Sequence, residues 1–340
     1  MNPSRRSFLQ TTAATGMAAT GIGHTFASEG ANAGEGPRRF HFVQVDVFTT
    51  RRLEGNPLSV FTDGRGLSDA EMEALSRETN LQETTFVFPR DAAVERQEGV
   101  KVRIFIPGEE TPFGGHPTLG TASVLRNRRL AESKQYPSLP ASEILLDLKV
   151  GKVPVSFRAD AQGTFGEMRQ IEPSFGPAHD RGAVAEALGL NVADFEPELP
   201  IQTVSTGLPF AIVPIKRLTT LQSLHFDLQK ASAYLKRQQP ECDDFYFITR
   251  DTGDPRVGLR ARAIYSTGED PATGSAAGCT SAWMVKHGIA PADETVLILQ
   301  GVEIKRPSEI FVRSSKRGTR ISNVRVGGHV VQIMEGEALL

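Results

Sequence analysis

The sequence predicts an α+β fold of two related domains with a cleft between them. Strand-like and helix-like stretches recur in the same order in two successive halves. Two Gly-rich turns, one in each half, also share a plan: Glu110, Pro112 and Gly115 have counterparts in Glu269, Pro271 and Gly274, all at an offset of 159 residues. Each turn follows an alternating apolar run and opens a helical one, so each half presents one helix mouth. The repeat is too long for a solenoid, and 340 residues suffice for two ordinary domains. The expected boundary lies near Gly163, giving domains at 40–163 and 164–327.

In the first half, Phe40–Phe48 alternates apolar and polar residues as a strand does. Gly55-Asn56-Pro57 is a turn signal before a second strand, Leu58–Phe61. Ser68 and Glu71 have the spacing of a capping box, and Leu67 and Met72 that of a hydrophobic staple, so a helix is expected to run to about Glu78. Strands follow at Phe86–Phe88 and Val100–Ile106, then the first Gly-rich turn, a helix from about Gly115 to Arg129, and a strand pair at Glu143–Lys149 and Val153–Arg158. The second half repeats this plan. Strands are expected at Ile201–Thr206 and Phe210–Ile215, one helical region over about Thr220–Lys236, and strands at Asp244–Thr249 and Val257–Tyr265. The second turn leads into a helix ending near His287, followed by strands at Val296–Leu299, Glu309–Val312, Ile321–Val326 and Val330–Met334.

The composition is that of a globular protein, 39% hydrophobic and 23% charged, with a net charge of −2. That charge argues against a nucleic-acid partner, which usually requires a basic face. No apolar stretch is long enough for a transmembrane helix, so no membrane partner is expected. The N-terminus stands apart. Arg5-Arg6 precedes a weakly apolar run, Thr11–Gly23, which reads as a twin-arginine signal peptide. Residues 1–33 are therefore expected to be a leader and linker, cleaved after Ala27 or Ala33, and the protein to be exported to the periplasm or beyond. Two cysteines, Cys242 and Cys279, are too few for a disulfide framework, and Cys279 is expected as a small core residue.

The chain has no GxGxxG, P-loop, HExxH or GxSxG motif, and its seven histidines lack metal-ligand spacing. No cofactor or metal is expected, and the chemistry falls to carboxylates, one histidine and helix ends. Glu83 is the leading candidate for proton transfer, because a carboxyl at a strand mouth flanked by Leu81 and Phe86 is open to desolvation and a raised pKa. His116, behind two glycines at a helix start, is a candidate to share or relay a proton, and Asp270 to orient a substrate or a proton. The backbone N–H groups near Gly114, Gly115, Gly274 and Ser275, with the Ser275 hydroxyl, are candidates to bind a small carboxylic acid.

Five motifs in order, Asp46-Val47-Phe48-Thr49, Gly55-Asn56-Pro57-Leu58, Asn80–Phe86, Gly114–Thr118 and Gly268–Ala276, resemble the PhzF family of phenazine-biosynthesis proteins over about residues 40–336. The resemblance implies a diaminopimelate-epimerase-like fold, in which each domain is a curled, mostly antiparallel sheet around a central helix. It implies that the C-terminal strand returns to the first domain, with 328–340 completing it, and that the protein is a homodimer. It also implies a cofactor-independent isomerase that moves a proton on a small unsaturated carboxylic acid. Glu83 would be its acid/base, His116 and Asp270 the supporting catalytic residues, and Gly115, Gly274 and Ser275 the substrate-binding ones. Epimerases of this fold use two cysteines in the Gly-rich turns. Gly114 and Pro271-Ala272 stand there in this chain, so two-thiol racemisation is excluded. An exported binding protein on the same fold, holding a small acid without turnover, is the second reading.

Overall fold

The computed structural model describes residues 36–132, 141–266 and 268–340. The expected leader lies outside the described residues. Of the stretch Met1–Arg38, only 36–38 are described, and they are exposed and irregular; Arg39–Leu340 form a compact unit of their own. The first half of that unit runs β1 (Arg39–Val47), β2 (Asn56–Phe61), α1 (Asp69–Thr79), β3 (Thr84–Phe88), α2 (Ala92–Glu98), β4 (Val100–Ile106), β5 (Glu109–Thr111), α3 (Gly115–Ala131), β6 (Glu143–Leu148), β7 (Gly151–Asp160) and β8 (Gly163–Arg169). The second runs β9 (Ser174–Ala178), α4 (Arg181–Leu188), a 3-10 turn at Val192–Asp194, β10 (Gln202–Ser205), β11 (Pro209–Pro214), α5 (Leu218–Gln222), α6 (Leu228–Gln238), β12 (Asp244–Thr249), β13 (Leu259–Tyr265), β14 (Gly268–Asp270), α7 (Gly274–Lys286), β15 (Val296–Gln300), β16 (Ser308–Arg317) and β17 (Arg320–Leu339).

The duplication read from the sequence is written in the strand pairing. β1–β2 is antiparallel and β2–β3 parallel, as are β10–β11 and β11–β12. β3–β4 and β4–β5 are antiparallel and β4–β6 parallel; β12–β13, β13–β14 and β13–β15 repeat that pattern. The same ion pair recurs at the 159-residue offset. Arg103 grips Glu110 with a two-pronged fork at 2.9 and 3.0 Å, and Arg262 grips Glu269 at 2.9 and 2.7 Å. These planar, charge-assisted forks fasten each β-hairpin just before its helix mouth. Glu110 and Glu269 therefore serve the fold.

Each half wraps its sheet around one helix. In α3 the run from Gly115 to Ala122 is buried on every side, and in α7 every residue but Lys286 is buried. A helix buried all round cannot show a strong polar face, which is why small residues crowd these two sequences. The largest apolar core joins both halves, from Val45 and Leu119 to Trp283 and Val326. Two satellite cores lie under the outer helices. Phe61, Phe86 and Phe105 pack with Leu67 and Met72 beside α1, and Leu221, Leu235 and Phe247 pack in the α4–α6 layer. The long strand β17 ties the chain together: it pairs with β16, then with β8, and its last stretch Val330–Leu339 pairs with β1.

The capping box at Ser68 and Glu71 forms as expected, with Asn80 closing α1 in the left-handed conformation. Several expectations need correction. The helical region expected over 220–236 is two helices, because Asp227 accepts from the N–H groups of Gln229 and Lys230 and starts α6 afresh. Asn56 belongs to a strand, paired with Val47, as the residue before a proline prefers. The strands expected at Ile321–Val326 and Val330–Met334 are continuous in β17. Elements α2, β5, β8, β9, α4 and β14 were not expected. Cys242 and Cys279 are both buried and free. Among the described residues no helix is long and apolar enough to cross a membrane.

Candidate active site

The two buried helices meet at their N-termini. A Cβ built on Gly115 would lie 2.5 Å from both the Gly274 carbonyl carbon and the Ser275 amide nitrogen. Only glycine permits this approach. Neither helix start has a side-chain cap or an acidic residue in its first turn. By contrast Ser68, Asp180 and Asp227 cap α1, α4 and α6. The uncapped starts leave N–H groups and two positive dipole ends facing a shared space. That space is a cavity of about 730 Å³, and Glu83, Gly115, His116, Asp270, Gly274 and Ser275 all line it. The structure thus brings every site residue expected from the sequence to one place.

The polar groups form an ordered chain. Asn56 Nδ2 lies 2.6 Å from Asp270 Oδ1, 3.0 Å from the Ala272 carbonyl and 3.0 Å from His116 Nδ1. Its N–H groups thus face three acceptors contributed by both halves. With Nδ1 accepting, the proton of neutral His116 sits on Nε2. That nitrogen has no hydrogen-bond partner and lies 3.5 Å from Glu83 Oε2. Burial holds His116 neutral by pushing its pKa down to about 3. Asp270 Oδ2 accepts from the Thr273 hydroxyl at 2.6 Å. Gln300 Nε2 donates to the Asp270 carbonyl and to Thr273 Oγ1, while Tyr246 donates its hydroxyl to Gln300 Oε1 at 2.8 Å.

These contacts separate the two carboxyls. Burial raises the pKa of Glu83 well above its ordinary value, and the charge of Asp270 raises it further. Burial raises Asp270 too, but the Thr273 and Asn56 donors act in the opposite direction. Glu83 has no such donors, so of the pair it is the one that holds the proton. Asn80 explains its placement: the left-handed turn after α1 carries the chain into Gln82 and Glu83 at the cavity wall. The Glu83 side chain is 19% exposed, and the Ser275 hydroxyl has no protein partner among the described residues. Asn56, Thr273, Gln300 and Tyr246 were not singled out as site residues. Of these only Asn56 and Thr273 lie within the motifs quoted above. Gln300 and Tyr246 lie outside them, in strands that reach the site through tertiary pairing.

Residues 45–336 match the family model described as phenazine biosynthesis-like protein. The chain belongs to the PhzC-PhzF family. Within that family, the trans-2,3-dihydro-3-hydroxyanthranilate isomerase of Pseudomonas aeruginosa is 33% identical, over 88% of this chain and 99% of the relative. An uncharacterized isomerase of Mesorhizobium japonicum is 32% identical over the same shares. The crystal structure of a Bacillus anthracis PhzF-family protein superposes with a TM-score of 0.77 at 27% identity, covering 89% of this chain and all of that one. A hydroxyproline epimerase of Agrobacterium vitis shares the fold alone, with a TM-score of 0.59 at 11% identity over 89% of this chain and 93% of that one. The PhzC-PhzF chain described here is therefore α+β, of the kind this group of epimerases and isomerases shares.

Proposed function

We propose that this PhzC-PhzF protein is an isomerase that moves a proton between two carbons of a small unsaturated carboxylic acid, with Glu83 as proton carrier. The observation that carries the reading is the Glu83 carboxyl, its pKa raised by burial and by Asp270, 3.5 Å from Nε2 of a buried His116 at a cavity where two uncapped helix starts converge. The substrate carboxylate binds the N–H groups of those starts near Gly115 and Gly274 and the Ser275 hydroxyl. Glu83 gives its proton to one carbon of the unsaturated system. The carboxylate so formed takes a proton from another carbon, and the double bond shifts while the enzyme returns to its starting state. The His116 Nε2–H faces Glu83 and steadies its anionic moment; Asn56 and Asp270 fix the imidazole tautomer that makes this possible.

The activity of the Pseudomonas aeruginosa relative makes trans-2,3-dihydro-3-hydroxyanthranilate the first compound to test. NMR of the acid with purified protein reads the reaction directly: the reading requires a shifted double bond and an unchanged molecular mass, and it fails if no small unsaturated acid is turned over. Ser275→Ala is expected to weaken binding of the acid by about 1.5–3 kcal/mol, the worth of one hydrogen bond to a charged group. Its turnover at saturation should change little. Calorimetry and saturation kinetics check the two halves of that expectation. In the same reading the protein works as a homodimer and its N-terminal Arg5-Arg6 segment directs export. Light scattering of the purified protein and fractionation of cells carrying Arg5→Lys with Arg6→Lys test these points.

A further inference from the structure

The duplication assigns a counterpart to Glu83. In the first half Phe86 of β3 faces Arg103 of β4, and in the second Phe247 of β12 faces Arg262 of β13. Arg103 and Arg262 are themselves equivalent through their forks to Glu110 and Glu269. Counting back three residues along each strand places Asp244 at the position of Glu83. Both carboxyls line the same cavity, each at the mouth of its strand.

Asp244 is half-buried, and its carboxyl has neither a hydrogen bond nor an ion pair among the described residues. The cation whose charge bears on Asp244, Lys236 of α6, pairs with Asp243 at 3.6 Å. The titratable groups that bear on Asp244 are Asp243, Lys236, Asp270 and Tyr265. Burial, then Asp243 and Asp270, push its pKa up to about 6, so it is ionised at neutral pH. The described cavity lining contains four carboxyls, Glu83, Asp243, Asp244 and Asp270, and Lys236 as its one lysine or arginine. A ligand that is only an anion enters this space against that charge. A ligand with a carboxylate for the helix mouths and an ammonium for Asp244 does not.

We propose that Asp244 is a specificity-determining residue that receives a protonated amine on the substrate, at a point away from the substrate carboxylate. The proposal rests on the reading that the helix mouths hold that carboxylate. A desolvated carboxylate without a partner is costly, and an ammonium group restores the missing charge-assisted bond.

Matched acids test this. Ligand-observed NMR measures the affinities of butyrate and caproate beside γ-aminobutyrate and ε-aminocaproate, for the full folded protein and for Asp244→Asn. At neutral pH at least one amino acid of the series should bind about tenfold more tightly than its amine-free partner, the scale of one such bond. Asp244→Asn should abolish the preference. In the unaltered protein the preference should also fade as pH drops through about 6, where Asp244 takes up a proton. This second measurement stands even where the variant fails to fold. Equal affinity of the paired acids in the unaltered protein, or a preference that survives both Asp244→Asn and acidification, overturns the proposal and leaves the carboxylate site standing. Failure of all four compounds to bind overturns the carboxylate site, and the proposal with it.

Discussion

Glu83→Gln is expected to lower turnover by roughly 10²-fold or more, the scale of general acid/base catalysis, while the affinity for the substrate stays near its original value. Glutamine keeps the size of glutamate but has no proton to exchange. The rest of the site does not lean on Glu83 for its structure, because no hydrogen bond from a described residue to the Glu83 carboxyl is present and His116 Nε2 stands off at 3.5 Å. The Asn56–Asp270–Thr273–Gln300 chain is untouched. Stopped turnover with retained binding is therefore the signature, read by kinetics and calorimetry on one preparation. Full turnover in a folded variant removes Glu83 from the mechanism. The sign of the pH dependence follows from the same group. The acid form starts the reaction, so kcat/KM should hold above the ordinary carboxyl range and fall as pH rises through the elevated pKa of Glu83.

Gly115→Ala is expected to damage both stability and turnover with a single added methyl group. Its Cβ would lie 2.5 Å from the Gly274 carbonyl carbon and the Ser275 nitrogen, well inside contact distance, and both are backbone atoms that no rotamer change can move. The two helix starts must separate, and the helices behind them are packed on all sides. Overpacking of this kind costs on the order of 1–3 kcal/mol, and a shift of about 1 Å at the mouths lowers turnover by roughly 10²-fold. Thermal unfolding and kinetics check the two effects. An alanine variant with unchanged Tm and unchanged kcat/KM would show that the helix starts are not in contact.

Local signals in the sequence read well where the chain itself supplies the reason. The Ser68–Glu71 box starts α1, and the alternation of Val100–Ile106 gives β4 its ends. The 159-residue offset between the two turns points to a structural repeat, which the twin Arg–Glu forks express. Other elements leave no local trace. Helix α2 buries none of its residues, so it has no apolar stripe to detect. Strand β8 carries Gly163 and Gly166 and owes its form to pairing with β7 and with β17, more than 150 residues away. The break between α5 and α6 rests on one capping carboxylate, Asp227, inside an otherwise helical stretch.

The site divides the same way. Glu83, His116 and Asp270 stand in motifs whose order along the chain can be read. What holds them in place is only partly so: Thr273 reaches Asp270 from three residues on, but Asn56, Gln300 and Tyr246 act through contacts between segments far apart in sequence. Asp244 is a further case. Its equivalence to Glu83 follows from strand register, and at the level of composition it is one acid in the run Glu241-Cys242-Asp243-Asp244.

The protonation state of Glu83 is the point on which the account turns, and it can be measured without knowing the substrate. Protein labelled with ¹³C at the glutamate side-chain carboxyl is titrated by NMR, with Glu83→Gln run alongside to assign the resonance. The account predicts a Glu83 carboxyl that stays protonated well after the exposed glutamates have ionised. A Glu83 resonance that titrates together with those exposed glutamates would contradict it.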